Sequence, residues 1–166
     1  MDVGIHSLHW ERRLPDWPAA AVAGFAAGAV LMVLELLWSL VGGESPWRAS
    51  HQVAAIVLGP DTQQTLGFEL GVVTVALATH YALGIAFGIV LAVLIAPLHL
   101  ESNAGASLAA GALFGAVLYL FDFYAMVGWF PWFADMRGAP TLVAHLVFGM
   151  SAALLYWEFE RGSADR

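Results

Sequence analysis

Four stretches of the chain, at about residues 18–42, 70–96, 104–127 and 140–157, run almost unbroken in apolar residues. A hydrocarbon core of about 30 Å is crossed by roughly 20 such residues in a helix, so each stretch is long enough to span. The pattern predicts an all-α membrane protein, a four-transmembrane-helix bundle in which residues 1–166 form a single integral membrane domain. Between the first two spans, Gln52 to Gly59 is apolar but too short to cross. It is expected on the membrane surface or folded back onto the bundle.

Composition agrees with the pattern. The chain is 60% hydrophobic and 11% charged, with a mean hydropathy of +0.76, too apolar for an ordinary soluble domain. The lipid bilayer is therefore the first expected partner. The net charge of −7 comes from acids in the termini and loops, which argues against nucleic acid. With no cysteine there is no disulfide, thiolate metal site, iron–sulfur cluster or c-type haem attachment. The start, Met1-Asp2-Val3, lacks the basic region of a secretory signal, so the first span is read as retained.

There is no lysine, so orientation rests on arginine. Arg12, Arg13, Arg161 and Arg166 fall on one side, Arg48 and Arg137 on the other. The positive-inside rule then puts both termini in the cytoplasm and loops 43–69 and 128–139 outside the inner membrane. Trp10, Trp17, Trp47, Trp129 and Trp132 suit the interfacial aromatic belts.

The two halves of the chain resemble each other. Gly24, Gly28 and Glu35 recur with equal spacing as Gly111, Gly115 and Asp122; Pro46-Trp47 recurs as Pro131-Trp132, and His80 to Gly84 as His145 to Gly149. This reads as a parallel duplication of a two-helix unit, with a pseudo-twofold axis along the membrane normal. Gly28 to Glu35 and Gly115 to Asp122 are seven residues, nearly two turns, so each acid shares a stripe with a close-packing glycine and is expected to face protein.

Each span thus carries one ionisable side chain, in the order Glu35, His80, Asp122, His145. Such a group inside a membrane is a functional-site hypothesis by default. At 1.5 Å rise per residue, Glu35 and Asp122 lie about 10 Å inside the outer boundary, His145 about 8 Å and His80 about 15 Å. Each acid is expected within direct or one-water reach of a histidine. Four readings are open. The cluster can be purely structural, each carboxylate paired with an imidazole; it can take up and pass protons through coupled acid–histidine pairs. It can hold a divalent metal on His80, His145, Glu35 and Asp122, although no dense H-x-x-x-H or E-x-x-H signature is present. It can bind haem b between His80 and His145, with Gly84 and Gly149 leaving room for the macrocycle. No cofactor is the leading expectation.

Tyr119, one turn before Asp122, is the expected hydrogen-bond partner of that acid. Asp135 and Arg137 are expected to pair with each other or with Glu44 and Arg48. His6, His9, His51 and His99 are expected to be solvated. No nucleophile elbow, phosphate loop or dinucleotide fingerprint occurs, so no enzyme is expected.

Thr79-His80 in an apolar span, the glycine-rich third span, Pro131-Trp132, and His145 ahead of Phe148 together resemble the YagU-like bacterial inner-membrane proteins. The blocks Ser45-Pro46-Trp47, Ala54 to Gly59, Phe130 to Ala134 and Ala144 to Gly149 are similar to a group of small proteobacterial four-span proteins. The resemblance covers roughly residues 18–158 and implies an inner-membrane helical bundle without implying a reaction. Two functional classes follow. One handles protons or a cation through the four intramembrane residues; the other is a non-catalytic accessory subunit of a larger membrane complex, such as a respiratory one, or a homo-oligomer.

Overall fold

The protein is known from a computed structural model that describes residues 14–98 and 103–164. His6, His9, Trp10, Arg12, Arg13, His99, Glu101 and Arg166 lie outside the described residues, as does the side chain of Arg161.

Five α-helices make up the described chain: α1 (Trp17–Val41), α2 (Arg48–Leu58), α3 (Leu70–Ile95), α4 (Ala104–Leu120) and α5 (Ala139–Ala164). All but α2 belong to segments long and apolar enough to cross a membrane; the third such segment continues past α4 to Gly128. Local chemistry sets the ends. Asp16 caps α1 by accepting from the Ala19 N–H at 3.0 Å, with proline in the first turn. Asn103 caps α4 in the same way, through the N–H groups of Gly105 and Ala106. Helix α2 stops at Gly59, whose φ of 96° lies where a side chain is disfavoured, and Pro60 follows.

The spans pack in the order α3, α1, α5, α4, with extensive contact along each neighbouring pair and only slight contact between α3 and α4. Their directions alternate. Gly24 of α1 faces Gly84 and Gly88 of α3, Gly111 of α4 faces Gly149 and Ala153 of α5, and the Asp16 N–H at the start of α1 donates to the Tyr156 hydroxyl late in α5. Thus α1 and α4 run one way, α3 and α5 the other. Within each half, residues at matching positions meet. Between the halves the contacts are unequal, because α1 lies along α5 while α3 and α4 stand apart.

In lipid the apolar surface of a helix gains little from meeting another apolar surface, so close packing of small residues must hold the spans together. A methyl group at Gly24 would run into the Gly84 carbonyl oxygen, at Gly111 into that of Gly149, and at Gly115 into that of His145. Backbone meets backbone at these points. Around and beyond them Ala20, Ala27, Leu91, Ile95, Phe148, Ala153 and Tyr156 form one buried apolar core.

Helix α2 folds back rather than lying free. Ala54 packs on Val72 and Ala76 of α3. The Trp132 indole N–H donates to the Gln52 carbonyl at 3.2 Å, tying the second Pro-Trp loop to α2. The other motif holds its own loop: Trp47, beside Pro46, meets Phe68 edge-on at 5.0 Å, and the Ser45 hydroxyl donates to the Leu66 carbonyl at 2.6 Å. Of the described tryptophans expected at the interfaces, Trp129 is 72% exposed and Trp17 48%.

The glycine contacts make a paired prediction. Gly111→Ala inserts a methyl group against immovable backbone and should destabilise the bundle by about 1–3 kcal/mol. Gly71→Ala, where nothing lies within 4 Å, should be neutral or stabilise by about 0.5–1 kcal/mol through helix propensity. Unfolding titrations in mild detergent compare the two, and equal effects would contradict the packing account.

Candidate functional site

The four intramembrane ionisable residues line one cavity. It has a volume of about 100 Å³ and lies between all four spans, with Glu35 from α1, His80 from α3, Asp122 just beyond α4 and His145 from α5 on its wall. Gln52, Val53 and Ile56 of α2 cover it from the long-loop end. Glu35 also lines a second, wider cavity of about 440 Å³ that carries Glu44, Arg48, Asp135 and Arg137. Glu35, Gln52 and Met136 are shared by the two, so they stand at the junction of a charged vestibule and an inner chamber.

The histidines are pinned by carbonyl groups, and this fixes their protons. The His145 Nδ1–H donates to the Thr141 carbonyl at 2.8 Å, one turn back on α5. Its Nε2 therefore carries the lone pair in the neutral ring and faces the Asp122 Oδ2 at 3.6 Å. Two acceptors face one another unless a proton sits on one of them. Phe123 and Tyr119 meet the His145 ring edge-on, at 5.2 and 6.0 Å between centroids, which keeps it in place.

His80 is held the other way round. Its Nε2–H donates to the Gly28 carbonyl at 2.8 Å, leaving Nδ1 as the free lone pair of the neutral ring. A methyl group at Gly28 would sit 3.6 Å from Nε2, an ordinary packing contact, so the ring lies close along this part of α1. At this nitrogen His80 bonds backbone and not a carboxylate. Glu35 makes no hydrogen bond to either histidine among the described residues and meets them only across the chamber.

Asp122 stands in a single π-helical turn, Phe121–Ala125, closed by the Met126 N–H on the Phe121 carbonyl. Such a turn inserts a residue into the helix and frees backbone groups, and it is common at functional sites. Here the Arg137 Nε–H takes up the Phe123 carbonyl at 2.6 Å, and its guanidinium lies 4.3 Å over the Tyr124 ring. Arg137 consequently does not pair with Asp135 or Glu44; the ion pair of this region is Arg48 with Glu44 at 2.8 Å. Tyr119 also departs from expectation, since its hydroxyl accepts from the Gly138 N–H at 3.2 Å and ties the second long loop to α4.

The metal and haem readings do not fit this arrangement. Among the described residues no three His, Asp or Glu side chains converge as a ligand set. A chamber of about 100 Å³ is also below the roughly 300 Å³ of small-ligand pockets. His80 turns its Nε2 to Gly28 and His145 turns its Nε2 to Asp122, so neither presents that atom to a central macrocycle.

His51 is the largest departure. Expected in solvent, it is fully buried, with Nδ1 2.6 Å from the Thr62 carbonyl and Nε2 2.9 Å from the Gly67 carbonyl. The signal that marks it is the helical stripe His51, Ala54, Ala55, the three buried positions of α2. Comparison with protein-family models, with curated proteins and with solved structures finds no match to this chain.

A double-mutant cycle tests whether the inner pair interacts. Asp122→Asn and His145→Phe each strand one partner, so together they should cost less than the sum of the two, with a coupling of about 1 kcal/mol in unfolding free energy. Strict additivity would mean that the two side chains are neighbours without interaction.

Proposed function

We propose that this chain is an inner-membrane protein of YagU-like kind that takes up protons from the outer aqueous side into an intramembrane carboxylate–imidazole site. The carrying observation is that Glu35 lines both the charged vestibule and the chamber holding His80, Asp122 and His145. A water's share of liquid volume is about 30 Å³, so the chamber has room for a few waters among polar walls. Protons reach Glu35 from the vestibule, cross on those waters, and settle between Asp122 and His145. A third cavity of about 190 Å³ beside α1, α2 and α3 also carries Glu35 and His80, while the buried apolar residues Ala20, Leu91, Ile95 and Tyr156 argue against a path through the rest of the bundle. The proposal is accordingly a proton-binding site, not a through-channel, and it involves no covalent chemistry.

Orientation belongs to the same proposal. The arginine distribution supports cytoplasmic termini, and the vestibule then opens outward. The matched glycine and histidine contacts of the two helix pairs support descent from a doubled unit, with the pairing between halves since diverged.

Two measurements test this reading. Infrared difference spectra on acidifying the purified protein in lipid should show a protonated-carboxyl band that weakens in Glu35→Gln and in Asp122→Asn. A band unchanged in both variants would remove the site from the proposal. Because the chain has no cysteine, Gly128→Cys, at a position with open space around it, offers a single label. It should react with a membrane-impermeant maleimide from the outer face, and reaction only after the membrane is opened would reverse the orientation.

A further inference from the structure

His51 carries chemistry that the proton site does not use. Both of its ring nitrogens face carbonyl oxygens, Thr62 at 2.6 Å and Gly67 at 2.9 Å, in a residue with 0% exposure. A carbonyl oxygen only accepts, and a neutral imidazole has only one N–H. The ring can therefore satisfy both contacts only as an imidazolium that donates from both nitrogens. A neutral ring would press a lone pair against one of the two oxygens, an unmade bond in a place without water.

We propose that His51 is a proton-operated latch that clamps the segment from Pro60 to Glu69 onto α2. When the ring carries both protons, two charge-assisted bonds close the segment against the helix. Loss of the second proton to water breaks one of them and releases one anchor. No other bond changes.

Glu35 of α1 and His80 of α3 line a cavity with Ser50 and Val53 of α2, and neither bonds the His51 ring; His80 bonds the Gly28 carbonyl. On α2 and the chain before it, Arg48 pairs with Glu44 at 2.8 Å. In the clamped segment, Asp61 accepts from the Gln64 amide at 2.9 Å and Glu69 from the Thr65 hydroxyl at 2.6 Å. On the face of α3 that packs against α2, the contacts are Val72, Val75 and Ala76. No described carboxylate bonds the ring, so its two donors serve the segment alone. The latch matters for the rest of the molecule because α2 is also the lid of the inner chamber, through Gln52 and Val53 next to His51.

Two readouts on the full chain in lipid nanodiscs test the latch. Nitrogen NMR of the His51 ring should find both nitrogens protonated while the segment is closed. Amide hydrogen exchange over residues 60–69, corrected for the intrinsic effect of pH, should lose protection as pH rises through the titration of that ring. In His51→Phe, exchange in this segment should be fast at every pH, with α3 unchanged. Finding a ring with one bare nitrogen while residues 60–69 remain protected would overturn the proposal, as would protection that holds constant through the ring's titration. Both of these are read on the unaltered protein, so the test does not depend on the variant folding.

Discussion

Backbone contact between glycine-bearing helices is the constraint on which the other features depend. In a bilayer the spans gain little from burying apolar side chains against each other, so they associate where small residues let the chains approach. Gly24 against Gly84 and Gly88, and Gly111 and Gly115 against Gly149 and His145, hold each antiparallel pair at that distance. The same approach brings the His80 ring within reach of the Gly28 carbonyl. Were the helices separated by ordinary side chains, that bond would be out of range and the ring would have no partner in the apolar interior.

Close pairing on one side leaves space on the other. Each pair is tight and α1 lies along α5, but α3 and α4 hardly meet, so the centre of the bundle is not filled by the spans alone. Helix α2 and the second long loop complete it, joined by the indole of Trp132 on the Gln52 carbonyl. The chamber is what remains under that lid. Its polar residues can be kept in the membrane because each has a protein or water-sized neighbour instead of hydrocarbon.

How much of this was legible in the sequence differs by feature. Hydrophobic runs marked the four spans to within a few residues, since a membrane helix needs length and apolarity and little else. The spacing of Glu35, His80, Asp122 and His145 along the spans placed them at similar depth, and they do share a cavity. What periodicity could not supply was the partner of each polar atom. Local spacing pointed Tyr119 at Asp122, whereas its hydroxyl meets Gly138, nineteen residues away. The π turn at Phe121–Ala125 was hidden because the group that takes up its Phe123 carbonyl, Arg137, comes from a different loop. His51 was misjudged because a loop histidine between polar residues reads as solvated until the returning segment that covers it is seen.

The three placed histidines also separate by the acceptors around them, and this decides what each can do. His80 has one carbonyl, which fixes a proton on its Nε2. His145 has one carbonyl on Nδ1 and a carboxylate near Nε2, so it can hold a second proton by sharing it with Asp122. His51 has two carbonyls and no described carboxylate, so its second proton is held by geometry alone. A carboxylate can itself take the proton and relieve the imidazole, whereas a backbone carbonyl cannot. In the proton-uptake reading proposed above, the Asp122–His145 pair passes a proton on, whereas His51 responds with movement of the chain that supplies its acceptors.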